Sequence, residues 1–143
     1  MKTRLGSTLA GLFILIGVAS YSAAADAKSK KTDLEGIWNA VKKDSAAQQL
    51  KFTGNKFEAK IGGKVYKGTF KLNNDKNPLW IDMKITESPD KKNNGKTVLG
   101  IYEFQGENLR WCSSQPGRKR RPTQFAKQMG DARLLLGTFK KKK

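Results

Sequence analysis

Asp82 and Glu103 are the carboxylates best placed to do chemistry in this chain. They fall in neighbouring strand-like runs and could divide the roles of general acid and general base. The alternation that buries Ile81 and Met83 sends Asp82 the other way, however, so an outward salt bridge to lysine competes with that pairing and is the favoured fate. The chain has no histidine, which removes the usual general base near neutral pH and the commonest metal ligand. Neither a Ser-His-Asp nor a Cys-His site can be assembled. The 12 acidic residues are scattered, whereas an oxygen-ligand metal site needs several converging carboxylates. This inventory points away from an enzyme and calls for no metal and no cofactor.

Binding chemistry is better represented. Arg118, Lys119, Arg120 and Arg121 stand in a row between Gly117 and Pro122. Four adjacent cations repel one another and gain from a polyanion, with an affinity that falls as salt rises. The competing reading is a solvated loop. No aromatic side chain interleaves the cluster, as a single-strand nucleic-acid platform wants, so acidic envelope polymers or anionic lipid are the fitting partners and nucleic acid is not. Phe52, Phe57, Tyr66, Phe70, Tyr102 and Trp111 form the second group. Pointed into a small barrel, they either fill it or line a pocket for one small apolar molecule, and strands this short favour filling. Cys112 is the only cysteine; it sits in the apolar run Leu109–Cys112 and reads as a buried, inert thiol rather than one half of an intermolecular disulfide.

The elements that must position these groups are short and alternate with period two. Polar residues up to Asp33 give way at Leu34 to runs over 34–42, 48–52, 56–61, 64–72, 79–86, 96–104 and 107–113. Phe57, Ala59 and Ile61 alternate with Glu58 and Lys60; Gly62-Gly63 then gives a two-residue hairpin signal. Tyr66, Gly68, Phe70 and Leu72 share one face, as do Leu79, Ile81, Met83 and Ile85. Gly68 and Gly106 mark tight turning or close approach. A short strand or bridge over 123–126 and a last apolar run over 133–139 complete the pattern, with a lysine tail over 140–143. Turn signals every 8–12 residues and the lack of a long crossover predict an all-β fold, an antiparallel up-and-down meander of about eight strands closed into a barrel.

The first 25 residues have the form of a cleaved export signal. Lys2 and Arg4 precede an apolar stretch over 9–18, and Ala23-Ala24-Ala25 offers small residues for cleavage after Ala25. The stretch is about half the length a membrane span needs. Cleavage leaves 118 of 143 residues, one domain of modest size. It also takes away two of the 29 basic residues and no acid, so the net charge falls from +17 to +15. Residues 26–33 form a flexible basic leader, and 34–139 the domain. The product is an exported monomer in the periplasm, cell envelope or medium.

Gly36-Ile37-Trp38 resembles the G-x-W signature of lipocalins. More of the chain is similar to a small lipocalin-like domain family described from planctomycete bacteria. Leu34 to Trp38 resembles its L-x-G-x-W opening. Gly68 to Leu72 followed by Ile81-Asp82 resembles its G-T-F-x-L and x-I-D, and Gly95 to Glu103 its G-K-T-x-x-G-I-Y-E. Leu109 to Cys112, Pro116-Gly117 and Arg121 to Phe125 resemble its L-x-x-C and P-G-x-x-R-P-x-x-F. The resemblance implies a lipocalin-like barrel in which Gly36 and Trp38 seal one end and a basic side chain packs on the indole, with Arg133 and Lys140 as candidates. It implies no activity. Lys119-Arg120 and the terminal lysines depart from its pattern. The function expected is that of an exported binding protein holding a small apolar ligand, or of an envelope module attached through its basic loop and tail.

Overall fold

Each alternating run folds as a strand whose apolar set faces one enclosed interior. A computed structural model describes residues 33–143; the signal over 1–25 and the leader up to residue 32 lie outside the described residues. The strands are β1 (Gly36–Ala40), β2 (Ala47–Thr53), β3 (Lys56–Ile61), β4 (Lys64–Asn73), β5 (Leu79–Glu87), β6 (Thr97–Gln105), β7 (Asn108–Ser113), β8 (Gln128–Met129), β9 (Ala132–Arg133) and β10 (Leu135–Lys141). Eight of them close in the order β1-β10-β7-β6-β5-β4-β3-β2, while β8 and β9 form a separate hairpin. All ladders are antiparallel. The expected meander barrel is present, with one elaboration between β7 and β10.

Turn chemistry sets the register. Gly62 and Gly63 take φ of 58° and 76°, the left-handed pair a two-residue hairpin requires, and Ile61 pairs with Lys64 across them. Two register shifts bend the wall, one between Ala47 and Gln49 and one between Lys67 and Gly68. The first explains why Leu50 rather than Gln49 follows Ala47 inward.

The barrel has two differently built ends. At the closed end lie the β2–β3 and β6–β7 turns, the start of β1 and the end of β10. Trp38 is buried there, its Nε1 donating to the Leu34 carbonyl at 2.8 Å and its ring 6.0 Å from that of Phe104. Above it an aromatic layer fills the bore. Phe52 packs edge-on against Phe70 at 5.2 Å and lies 6.0 Å from Trp111, which stacks on its cross-strand partner Tyr102 at 6.3 Å. The open end carries the loop 41–46, the Gly62-Gly63 turn, the loop 88–96 and the start of the segment 114–134.

That segment is a strap laid over the outer face of β5, β6 and β7. The stretch 123–126 is not a strand; the chain there is bent and irregular, and pairing is confined to β8 and β9. The strap makes a second buried layer outside the barrel. Ile101 and Cys112, opposite one another on β6 and β7, face outward yet are buried beneath it, and Pro122 of the strap is fully buried too. The Cys112 thiol donates to the Ala126 carbonyl at 3.3 Å, and burial pushes its pKa up.

Candidate ligand-binding cavity

Above the aromatic layer the bore is not filled. A cavity of about 200 Å³ opens between the strands, walled by Leu50, Phe57, Ala59, Ile61, Tyr66, Met83, Ile85, Val98 and Leu135, with Trp111 among the lining residues. Its polar groups gather on the side formed by the end of β7 and the loop 88–96: Ser113, Ser114, Gln115 and Asn93. The Ser114 hydroxyl is engaged, accepting from the Leu99 amide at 3.3 Å. An apolar enclosure with a few grouped polar atoms is the ordinary form of a small-molecule site. Its size is a third above the 150 Å³ cavity that holds benzene, which scales to a guest of roughly eight non-hydrogen atoms.

The six aromatic residues therefore divide. Phe57, Tyr66 and Trp111 line the cavity. Phe52, Phe70 and Tyr102 do not; they belong to the filled layer nearer the closed end, where they are at most 5 % exposed. Alternation assigns them the same inward phase, but their height along the barrel depends on register. Filling, the favoured outcome, holds for the lower half only. The Tyr102 hydroxyl is buried without a hydrogen-bond partner among the described residues, and burial, reinforced by the Asp33 charge, pushes its pKa up.

Arg121 does not belong with the exposed cations before it. Arg118, Lys119 and Arg120 are exposed, but the Arg121 side chain is only 14 % exposed and reaches onto the barrel wall. One guanidinium nitrogen donates to the carbonyls of Ile81 at 3.0 Å and Gly100 at 2.9 Å, residues that face each other across β5 and β6. The other donates to Asp82, and the plane lies 4.3 Å from the Trp80 ring centre. A planar fork can satisfy all of these at once. Arg121 is thus a fastener for the strap, unavailable to a polyanion. Asp82 is bound to an arginine rather than a lysine, and it does not meet Glu103, which pairs across the ladder with Arg110 at 3.1 Å. Arg110 also lies 4.4 Å from the ring centre of Phe125, fixing the strap at a second point.

The seal at the closed end also needs correction. The cation over the Trp38 ring is Lys141, with Nζ 5.5 Å from its centre, not Arg133 or Lys140. Phe139 points into the core, so alternation sends Lys140 outward and brings Lys141 back over the barrel end, where it pairs with Trp38. Arg133 lies in β9, outside the barrel. The tail is shorter than 140–143, because β10 runs to Lys141. Replacing Lys141 with alanine is expected to lower stability by about 0.5–1 kcal/mol in urea unfolding, and Lys140→Ala to leave it unchanged. Equal effects of the two would contradict this register.

Among the described residues no group of three or more His, Cys, Asp or Glu side chains could hold a metal ion. No family model, curated protein or solved structure matches this chain.

Proposed function

We propose that this chain is an exported, monomeric, non-catalytic binding protein of lipocalin-like type, a member of the small domain family its motifs resemble, and that it holds one small apolar molecule inside its barrel. The observation that carries this reading is the apolar cavity of about 200 Å³ above the aromatic layer. The absence of histidine and the engagement of Asp82 and Glu103 by arginines support binding rather than catalysis. The cavity volume favours a monocyclic aromatic or a short aliphatic chain over a sterol-sized guest.

Native mass spectrometry of the protein extracted without detergent should show an added mass that disappears on denaturation. Small apolar probes such as indole or toluene should raise the melting temperature with the logarithm of probe concentration above Kd and change the fluorescence of Trp111. Ala59 is 2 % exposed and lines the cavity, so Ala59→Phe should fill it and abolish both effects, while the barrel retains its far-ultraviolet spectrum. A clean apo mass together with no response to any small probe would sink the reading.

A further inference from the structure

The open end of the barrel gathers cations from four separate segments. Lys42 and Lys43 lie in the first loop, Lys64 follows the Gly62-Gly63 turn, Lys91, Lys92 and Lys96 lie in the loop after β5, and Arg118, Lys119 and Arg120 open the strap. Asp44, Glu87 and Asp90 are the carboxylates beside these cations, with Asp131 further along the strap in the β8–β9 turn, and the Asp90 side chain is engaged, accepting from the Lys92 amide at 3.0 Å. Backbone hydrogen bonds hold neighbouring parts of this rim together. The Gly62 amide donates to Ala46 at 2.8 Å, joining the first loop to the hairpin turn, and the Gly117 amide donates to Thr97 at 3.0 Å, joining the strap to the start of β6.

The same end carries the exposed large apolar side chains of the described residues, Val41 at 55 % and Val65 at 38 %. Val41 leaves β1 into the first loop, and Val65 stands on the outer wall one residue past Lys64. Scattered apolar residues on a surface need no explanation. Here both stand toward the open end, each next to a cation in the chain, Val41 beside Lys42 and Val65 beside Lys64. The terminal lysines lie at the opposite end, about 15 Å away along the axis for strands of about six residues at 3.3 Å each tilted by roughly 40°. Loop and tail therefore cannot act as one patch on a flat surface.

We infer that the open rim is a docking surface for a lipid bilayer with anionic head groups. Cations alone would suit any polyanion. Valine side chains beside them suit a surface with an apolar layer beneath its charge, because basic residues are drawn to the head groups while small apolar side chains enter the boundary below. Docking in this orientation turns the cavity mouth toward the lipid. The inference goes beyond ligand binding and does not depend on it.

The test uses the full chain with vesicles of phosphatidylcholine alone or mixed with phosphatidylglycerol. Co-sedimentation should occur with the mixed vesicles only and fall as salt is raised. The triple variant Arg118→Gln, Lys119→Gln, Arg120→Gln should weaken binding about a hundredfold, at about 1 kcal/mol for each cation removed. Val41→Ser with Val65→Ser should weaken binding to vesicles severalfold but leave binding to soluble polyglutamate unchanged. Lys142→Gln with Lys143→Gln, at the far end, should bind vesicles as the parent does. Ala59→Phe should also bind them normally, which separates this inference from the fate of the cavity reading. Binding to polyglutamate as tight as to vesicles, with no effect of the valine changes, would assign the rim to acidic polymers and overturn membrane docking. No vesicle binding at low salt, or an equal loss from the tail variant, would also overturn it.

Discussion

Replacing Gly68 with alanine is expected to prevent the barrel from closing, leaving the chain unfolded or destabilised by more than about 4 kcal/mol. A Cβ at Gly68 would overlap the Lys84 carbonyl oxygen and lie 2.8 Å from a ring carbon of Phe57. The first of these is backbone and cannot turn aside. It belongs to β5, which at this point pairs Ile85 with Gly68 and Lys84 with Thr69, immediately after a register shift in β4. Relief would require β4 and β5 to separate beside that register shift. Gly106→Ala serves as the control. That residue has φ of 60° and open space where its Cβ would go, so strain of about 1–2 kcal/mol is the whole cost. Far-ultraviolet circular dichroism and urea unfolding distinguish the two, and a Gly68→Ala variant with the parent midpoint would mean that β4 and β5 are not this close.

Arg121→Met is expected to cost about 3 kcal/mol and to loosen the strap without opening the barrel. The variant removes a charged donor from two carbonyls, each such bond being worth about 1.5–3 kcal/mol, and also the packing on Trp80. Asp82 contributes less. Its side chain is 48 % exposed, so Asp82→Asn should cost under about 1 kcal/mol. Arg121→Lys should not rescue, because a single ammonium on a flexible stem lacks the fork that spans three acceptors. A second readout follows from Cys112, buried under the strap with its thiol pKa raised by burial. Alkylation of that thiol should be slow in the parent and faster by at least tenfold in Arg121→Met, the rate that about 1.4 kcal/mol of easier strap opening would give. Unchanged thiol reactivity in a destabilised variant would show that the strap is held by other contacts.

The residues that lie on regular strands were the legible ones. Phe57, Ala59 and Ile61, or Leu79, Ile81, Met83 and Ile85, declare their face because the side-chain period of a strand is two, and the Gly62-Gly63 turn declares a hairpin. The closed barrel followed from a meander with no crossover. Alternation carries no information about height along the bore, so it could not separate Phe52 and Phe70, which fill the interior, from Phe57 and Tyr66, which line a cavity. Charge clustering misled at Arg121, whose neighbours are solvated while it is bound to a wall laid down 40 residues earlier. Nothing in the charge pattern set Arg121 apart; only the structure shows that Pro122, which follows it in the strap, is buried. The expectation of Arg133 or Lys140 at the Trp38 seal fails because alternation onward from buried Phe139 turns Lys140 outward and brings Lys141 over the ring.

The strap has a further consequence in the order of assembly. Strands β1 to β7 are joined by short connections and can zip up one after another, but β10 arrives only after the 21 residues 114–134 that follow β7. Until it does, β1 and β7 both present unpaired edges, since β10 is the strand that pairs with each. Closure is therefore a late, non-local event whose loop must be organised before the last strand can find its slot. A sheet still lacking β10 would expose both of those edges to strand-to-strand aggregation. By lying down over Ile101 and Cys112, the strap brings Leu135 to the wall beside Ser113 and so guides the strand that makes the sheet endless.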